Sequence, residues 1–105
     1  MPTQSTEQQE AIAVPTIRRF EDIEAWRSGR LLARQVYQVT ATGAWSRDFG
    51  LRDQIRRSVV SIMSNIAEGF ECGGDAQFLR YLTYAKGSAG EVRAQLYVAL
   101  DVRYL

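Results

Sequence analysis

A chain of 105 residues has room for one domain with one modest core, and its 13 Lys and Arg nearly balance its 12 Asp and Glu. The net charge of +1 excludes a basic field spread over the whole molecule, such as bulk electrostatic binding of nucleic acid would need. The chain has no histidine, which removes the usual general base and the commonest metal ligand, and its single cysteine excludes a disulfide within the chain.

This composition predicts a protein that is not an enzyme and that uses no cofactor and no metal. A serine nucleophile at Ser61 or Ser64 would lack a histidine or a suitably spaced lysine to activate it. The N-terminus lacks the pattern of a signal peptide, and no apolar run approaches membrane-spanning length. A lone thiol, Cys72, also suits a reducing compartment. We therefore expect a cytoplasmic protein that does not enter a membrane.

Residues 1–15 read as a flexible polar N-terminal tail, and a first helix is predicted over about residues 22–41. Asp22 is a suitable N-cap for that helix. Apolar or small residues then recur at steps of three and four, which is the pattern of an amphipathic helix with one buried face. The predicted buried line comprises Ala25, Gly29, Leu32, Val36 and Val39.

A second helix is predicted over about residues 51–70, after a connector whose Trp45 and Phe49 we expect to fold back onto the bundle. Gly69 is the predicted helix stop. No charged residue occurs from Ser58 to Ala67, so we do not expect one whole side of this helix to face water. Its main core line comprises Leu51, Ile55, Val59, Ile62 and Ile66, and a second apolar line comprises Val60, Met63 and Ala67.

A third helix is predicted over about residues 76–102, with Asp75 as its N-cap. Alternating steps of four and three form the heptad seam of closely packed helix pairs. Gly87 and Gly90 lie beside this seam, and each costs about 1 kcal/mol relative to alanine in a helix interior. Close approach of a neighbouring backbone would compensate, and simple tolerance is the alternative. The seam comprises Phe78, Leu82, Ala85, Ala89, Val92, Leu96 and Ala99.

Three such helices predict an all-α domain over residues 16–105, folded as an antiparallel up-and-down helix bundle. Three helices leave an apolar flank unless another surface covers it. Because burial contributes about 25 cal/mol per Å² of apolar area, a partner surface is expected there. A second copy of the chain is one candidate for that partner.

Five motifs together resemble one family of helical proteins. Over residues 20–105 the chain is similar to the four-helix bundle family of bacterial proteins encoded in 23S rRNA intervening sequences. It also resembles the accessory proteins of diversity-generating retroelements. The motifs are residues 20–26 (FEDIEAW), 51–58 (LRDQIRRS), 61–70 (SIMSNIAEGF), 78–82 (FLRYL) and 85–91 (AKGSAGE).

The resemblance implies a four-helix bundle protomer that assembles into a ring-shaped homo-oligomer, a pentamer. It also implies a nucleic-acid or reverse-transcriptase-like partner. The chain stops where the family's fourth helix begins, so that helix is expected to be truncated, replaced by the N-terminal tail or supplied by a neighbour. Met63 stands where relatives often have proline, which implies a straighter helix. Arg103 replaces the usual glycine of the following turn, so we expect that turn not to form.

Arginine rows supply the candidate nucleic-acid site. Residues 16–60 carry nine basic and five acidic residues, and aligned arginines can displace counterions from a phosphate backbone. Solvated helix surface with local ion pairs is the alternative interpretation. Arg27, Arg30 and Arg34 share one face at i, i+3, i+7 spacing, Arg52 and Arg56 share another at i, i+4, and Arg57 is adjacent.

Small polar residues on the second helix supply a candidate oligomer interface or pore, because such side chains tend to form hydrogen bonds across a buried contact. Their neighbours on the same helix extend the candidate surface. The set comprises Ser58, Ser61, Asn65, Glu68, Val60 and Met63. The function that follows from the sequence is a ring scaffold or adaptor without catalytic activity. The alternative is a nucleic-acid-binding accessory protein that uses the arginine rows on the ring surface.

Overall fold

The computed structural model describes residues 16–105, and the predicted tail, residues 1–15, lies outside the described residues. The described part of the chain holds three long helices and no strand, which confirms the all-α class. Two short 3₁₀ turns precede the first two helices. In chain order the elements are a 3₁₀ turn (Phe20–Asp22), α1 (Glu24–Val39), a 3₁₀ turn (Ala44–Arg47), α2 (Phe49–Glu71) and α3 (Asp75–Asp101).

Helix α2 lies between the other two and runs antiparallel to both. Toward α1, the Gly29 backbone lies against Met63, while Arg56 reaches Thr40 just beyond the end of α1. Toward α3, Ser58 near the start of α2 bonds to Gln95 near the end of α3. At the opposite end of the α2–α3 pair, Glu68 bonds to Tyr81. The order of these contacts is that of an up-and-down bundle.

The predicted periodicities mark the core of α2 and α3 correctly, except that Val60 of the second α2 line is exposed. On α1 the predicted buried line is wrong at its two ends, because Ala25 and Val39 are exposed. Four members of the α2 core line are buried, and Leu51 packs against them half-buried. On α3 the seam residues Ala85, Val92 and Ala99, spaced seven apart, are buried, and the other four are half-buried against the same cluster, as the heptad pattern predicts. The buried apolar residues are Ile23, Val36, Trp45, Ile55, Val59, Ile62, Ile66, Ala85, Val92 and Ala99.

The start of α1 differs from the prediction. Asp22 belongs to the 3₁₀ turn, and Ile23, in an extended conformation, occupies the cap position. The Asp22 carboxylate instead accepts a hydrogen bond from the Arg18 amide and pairs with Arg19 at 3.6 Å. Because Ile23 is buried in the core, the chain has to turn before the helix begins. Burial of this apolar side chain therefore outweighs the intrinsic preference for an aspartate cap.

In the α1–α2 connector, only one of the two aromatic residues predicted to pack against the bundle does so. Trp45 is buried and stacks on Tyr104, with ring centroids 5.7 Å apart. Phe49 is 62% exposed, so its predicted burial is wrong. The Asp48 side chain accepts a hydrogen bond from the Leu51 amide at 3.2 Å and caps α2, which starts two residues earlier than predicted. Phe49 therefore becomes the first helical residue and points away from the core.

Gly69 is not a helix stop, because α2 continues to Glu71. A Cβ atom at Gly69 would lie 2.6 Å from Tyr81 Cβ, far closer than two carbons can approach. The glycine therefore lets α3 cross close to α2. The turn itself is made by Gly73 and Gly74, whose φ angles are +71° and +84°. Gly74, and not Asp75, occupies the cap position of α3.

The turn after α3 forms despite Arg103, contrary to the prediction. Arg103 has φ +66°, the Arg103 amide donates to Leu100 O at 3.1 Å, and the Tyr104 amide donates to Ala99 O at 2.8 Å. This bonding is a Schellman motif with arginine at the position that glycine usually fills. The left-handed conformation costs an arginine about 1–2 kcal/mol. Tyr104 offsets that cost by stacking on Trp45 and donating to Asp48 Oδ2 at 2.9 Å.

Candidate functional site

The three α1 arginines share one exposed side of the helix, as the i, i+3, i+7 spacing predicts. Arg30 lies over the Trp26 ring, with its guanidinium carbon 5.9 Å from the ring centroid. Arg27 Nη1 donates a hydrogen bond to Glu21 O at 3.1 Å. Arg34 completes the row and forms no hydrogen bond to any residue from 16 to 105. This row keeps most of its hydrogen-bonding capacity available to a ligand.

Arg56 on α2 is used to hold the fold together. Its Nε donates to Thr40 Oγ1 at 2.9 Å, and its guanidinium carbon lies 4.4 Å from the centroid of the Tyr37 ring. Thr40 is fully buried and its hydroxyl donates to Val36 O at 2.7 Å. Arg56 therefore ties the end of α1 to the side of α2, a role that the i, i+4 spacing with Arg52 did not predict.

Arg52 is also engaged within the chain. Its Nε donates to Asp53 Oδ1 at 2.8 Å, its Nη1 donates to Ser46 O at 3.0 Å, and its guanidinium carbon lies 4.7 Å from the centroid of the Phe49 ring. The hydrogen bond from Arg52 Nε to Asp53, together with the positive charges of Arg52, Arg57 and Arg56, lowers the pKa of the Asp53 carboxyl despite partial desolvation. The ionised Asp53 in turn reduces the positive potential around the three arginines.

Asp53 and Arg56, but not Arg52, line an open groove of about 670 Å³ along the side of α2 that faces away from the core. Arg57 is exposed and forms no hydrogen bond among the described residues, so its guanidinium is available there. The groove combines free and engaged guanidinium groups with an aromatic ring and hydroxyls, which suits a phosphate flanked by a planar group. We call it the arginine groove, and its lining comprises Tyr37, Asp53, Arg56, Arg57, Val60, Ser61 and Ser64.

The small polar residues of α2 face α3 of the same chain. Ser61 Oγ lies 2.9 Å from Ser88 Oγ and accepts from Asn65 Nδ2 at 3.0 Å. Ser58 Oγ accepts from Gln95 Nε2 at 3.2 Å. The structure thus assigns these groups to the intrachain contact between α2 and α3, and a further role at an oligomer interface or pore stays a prediction.

Farther along the α2–α3 contact, the Tyr81 hydroxyl donates a hydrogen bond to Glu68 Oε1 at 3.2 Å. The negative charge of Glu68 raises the pKa of the Tyr81 phenol, and the hydrogen bond acts in the same direction. Val60 and Met63, the apolar members of the predicted interface, point elsewhere. Val60 is exposed in the arginine groove, and Met63 is half-buried against Gly29 of α1.

Sequence reasoning missed the partners of these polar groups on α3. Ser88 and Gln95 are buried, and they sit at seven-residue spacing on the side of α3 that meets α2. Such a polar pair beside an apolar heptad seam was a usable signal for a hydrogen-bonded helix pair. Gln95 Oε1 is buried and has no hydrogen-bond partner among residues 16–105.

Another surface of α3 is the side that points away from the core, which we call the outer face of α3. Its large apolar side chains are uncovered, with Leu79 66% and Tyr97 68% exposed. Gly87 and Gly90 lie between them. Apart from the adjacent residues and the nearby backbone of α3 itself, no described atom comes within 4 Å of a Cβ built at either glycine. The predicted close approach to these two glycines is therefore not made by any other part of residues 16–105. The outer face comprises Leu79, Thr83, Gly87, Gly90, Ala94, Tyr97 and Val98.

Two features of residues 16–105 bear on metal binding and on membrane insertion. That range holds no group of three or more Cys, Asp or Glu side chains placed to share a metal ion. None of its helices combines the length and the hydropathy that crossing a bilayer requires.

Comparison with known proteins gives one match. No curated protein sequence and no solved structure matches the chain. A family model described as 23S rRNA-intervening sequence protein matches residues 21–105, which include all three helices, the arginine groove and the outer face of α3. The resemblance of the five motifs is thereby confirmed, and the chain belongs to the family of 23S rRNA-intervening sequence proteins.

Proposed function

We propose that this protein is a non-catalytic, self-associating scaffold whose copies pack through the outer face of α3 into a ring-shaped homo-oligomer. The observation that carries the proposal is the combination on one helix face of uncovered Leu79, Tyr97 and Val98 with two glycines that nothing in residues 16–105 approaches. Contiguous exposed apolar surface of this kind marks interaction sites.

The glycines favour a helix as the partner. Without Cβ atoms, Gly87 and Gly90 leave a shallow depression midway along the outer face, into which a helix of a second copy can fit closely. Burial of the flanking apolar side chains would supply the driving force. Close contact there would also offset the cost of about 1 kcal/mol that each glycine imposes on α3.

A ring requires each copy to present two different surfaces, because a patch that meets itself closes as a dimer. Exposed Phe49 and Val60 on α2 supply a second apolar surface that can meet the outer face of α3 of the next copy. The family resemblance favours closure at five copies. Such a ring would act as an adaptor by presenting its remaining surfaces repeatedly to a partner, for which a reverse-transcriptase-like protein is one candidate.

Native mass tests this proposal. By light scattering at micromolar concentration, we expect the protein to have about five times the monomer mass of 11.9 kDa. Ala94→Arg, on the outer face between Gly90 and Tyr97, should shift the mass toward the monomer because it places a charge in the contact. Gln38→Arg, on the exposed side of α1, is the charge-matched control and should leave the mass unchanged. A monomeric wild-type protein would overturn the scaffold.

Nucleic-acid binding is the second candidate function, and the arginine groove favours it. Arg57 and the α1 row keep unpaired guanidinium groups on exposed surface, and repetition around a ring would strengthen a weak patch. Tyr37 is half-exposed in the groove, where its ring can stack on a base, although Arg56 occupies one of its faces.

The variants for this test have to avoid Arg52 and Arg56, because both hold the fold together. Arg34→Glu and Arg57→Glu should each weaken the binding of RNA or DNA at low salt, and the slope of affinity against salt should fall. Arg80→Glu, on exposed surface of α3, is the charge-matched control. The absence of any binding at low salt would remove this function, and so would equal loss in all three variants.

A further inference from the structure

A cleft of about 350 Å³ lies between α2 and α3 next to the arginine groove, and we call it the polar cleft. Arg57 and Ser61 line both, so the two spaces are contiguous. All six residues that line the polar cleft have polar side chains. Apolar surface does not suit it, because the lining groups would be left without hydrogen bonds. The lining comprises Gln54, Arg57, Ser58, Ser61, Ser88 and Glu91.

Opposite charges enter the polar cleft from its two helices. Arg57 precedes Ser61 by four residues, and Glu91 follows Ser88 by three, so both charges lie on the same side of the Ser61–Ser88 contact, about 6 Å and about 4.5 Å along their antiparallel helices. Both are exposed, and they form no ion pair in the described chain. A surface ion pair between them would contribute little, so a ligand that separates them loses little. A ligand for the cleft therefore combines acceptors for Arg57 with donors for Glu91.

A buried acceptor without a partner lies behind the polar cleft. Gln95 follows Glu91 by four residues on the same side of α3, is only 7% exposed, and donates through Nε2 to Ser58 Oγ in the cleft lining. Its other amide atom, Oε1, meets no hydrogen-bond donor among residues 16–105. Leaving a buried acceptor unpaired costs free energy that a donor on a ligand would recover. On the α3 side the cleft thus offers two carboxylate oxygens and one amide oxygen.

Guanine carries the complementary set of groups. Its O6 and N7 atoms form a pair of acceptors to which an arginine donates two parallel hydrogen bonds. Its N1–H and N2–H₂ groups hold three donor hydrogens, of which a carboxylate accepts two and an amide oxygen can accept the third. Adenine presents one donor and one acceptor on each of these edges, so it leaves Arg57 or Glu91 poorly matched. Each pyrimidine has a single donor group, which cannot satisfy both carboxylate oxygens and the amide.

We propose that the polar cleft binds the guanine of a nucleotide, with Arg57 donating to O6 and N7 and Glu91 accepting from N1 and N2, while the attached phosphate lies in the arginine groove beside Arg56. The nucleotide is either free or part of a strand, since both present the same groups. The inference rests on the second candidate function, nucleic-acid binding, and adds base selectivity to it. Phosphate contacts alone cannot supply that selectivity, because they carry no sequence information.

Fluorescence anisotropy at low salt tests the base selectivity. The probes are labelled uridine-rich RNA strands that differ only at one central base, which is guanine, adenine or inosine. We expect the guanine strand to bind about tenfold more tightly than the adenine strand, as one good bidentate base contact allows. Inosine lacks the N2 amino group and should bind several-fold more weakly than guanine.

Substitutions in the cleft should remove the preference without removing binding. Glu91→Gln replaces an acceptor oxygen with a donor, so the guanine and adenine strands should bind alike. Glu71→Gln, at an exposed position near the end of α2 and outside the cleft, makes the same change of charge and should keep the preference. Arg57→Lys keeps the positive charge but loses the planar fork, so it should reduce the preference several-fold and leave binding of the adenine strand nearly unchanged.

Equal affinity of the wild-type protein for the guanine and adenine strands would overturn the guanine site and leave nucleic-acid binding standing. A preference that survives Glu91→Gln, or that Glu71→Gln also removes, would overturn the assignment to the polar cleft.

Guanosine and adenosine monophosphates, titrated separately, distinguish the two sources of the base. A guanine strand that binds at least tenfold more tightly than guanosine monophosphate identifies a base within a strand, and comparable affinities identify the free nucleotide. If no strand binds, nucleic-acid binding fails as a function. A preference for guanosine over adenosine monophosphate, lost in Glu91→Gln, would then still support the cleft, and equal or absent binding of the two would overturn it.

Discussion

The α2–α3 contact and the outer face of α3 are built from the same kinds of residue, and they differ in what lies opposite. At Gly69, an added Cβ would lie 2.6 Å from Tyr81 Cβ, so the glycine is required by a helix crossing close by. At Gly87, on the outer face, no described atom beyond the adjacent residues and the nearby backbone of α3 lies within 4 Å of the same position. Serine and threonine divide in the same way, since Ser88 bonds across to α2 while Thr83 bonds only to its own helix.

The comparison shows that the structural role of a small or polar residue in a helix depends on which atoms of another segment lie opposite it. On the side of α3 that packs against α2, which we call the closed side, each such residue has a partner within the chain that accounts for it. On the outer face of α3, the corresponding residues have no such partner in residues 16–105, so nothing in those residues compensates for their cost to helix stability. The following variants test whether the two sides differ as the contacts indicate.

Gly69→Ala should give the largest effect. We expect the free energy of unfolding to fall by about 2 kcal/mol, because overpacking against Tyr81 Cβ and Phe78 exceeds the gain in helix propensity. Chemical denaturation followed by circular dichroism measures this change. An unchanged or increased stability would mean that α3 can move away from α2 at no cost, and it would contradict the tight helix crossing at Gly69.

Gly87→Ala should act in the opposite direction. In the monomer the added methyl group meets no described atom, so helix propensity alone should raise the free energy of unfolding by about 1 kcal/mol. The same denaturation experiment, run at low protein concentration, measures it. At high concentration, light scattering should show weaker self-association, because the methyl group would enter the proposed contact between copies. A stabilised variant that assembles as the wild type does would place the contact elsewhere.

Ser88→Ala and Thr83→Ala compare the two sides with smaller changes. Ser88→Ala removes the bond to Ser61 across the contact, and we expect a loss of about 0.5–1 kcal/mol, since alanine's helix propensity offsets part of the cost. Thr83→Ala removes only a bond to Leu79 O of its own helix, and we expect a gain of a few tenths of a kcal/mol. Thermal and chemical unfolding measure both changes. Equal effects in the two variants would contradict the difference between the sides.

The smallest expected effect is a pH dependence at the contact. The charge of Glu68 raises the pKa of the Tyr81 phenol above its usual value of 10.0, so the folded protein favours the neutral phenol. The stabilisation is therefore complete below that usual value and is lost as pH rises through the folded-state pKa. Unfolding free energies measured across this alkaline range should decline less in Tyr81→Phe than in Tyr97→Phe, which removes a tyrosine from the outer face. An identical decline in both would remove the Glu68–Tyr81 coupling.

Much of the fold follows from local patterns in the sequence. The three helices, the α2 core line and the α3 seam were all predictable, because burial on one side of a helix imposes a period that can be recognised without knowing the partner. The family was also predictable from the five motifs. The arginine row of α1 is on one face because helical geometry alone puts it there.

The roles of individual site residues were not predictable. Arg52 and Arg56 show the right spacing for a phosphate-binding row, but contacts with Ser46 and Thr40, six and sixteen residues away, engage both within the chain. Only Arg57 of that set stays unpaired within residues 16–105. The spacing along one helix carries no information about acceptors supplied by another segment.

The sequence by itself determined where α-helix forms and which face of each helix is apolar, since both depend on residues within one or two turns. The tertiary structure alone decided that Gly69 serves a helix crossing, that Phe49 points to solvent and that Arg103 adopts a left-handed turn. Each of these depends on an atom from a distant segment: Tyr81 against Gly69, the Asp48 cap that fixes the start of α2, and Trp45 beneath Tyr104. Close packing between helices is a property of pairs, and a single helix pattern does not contain it.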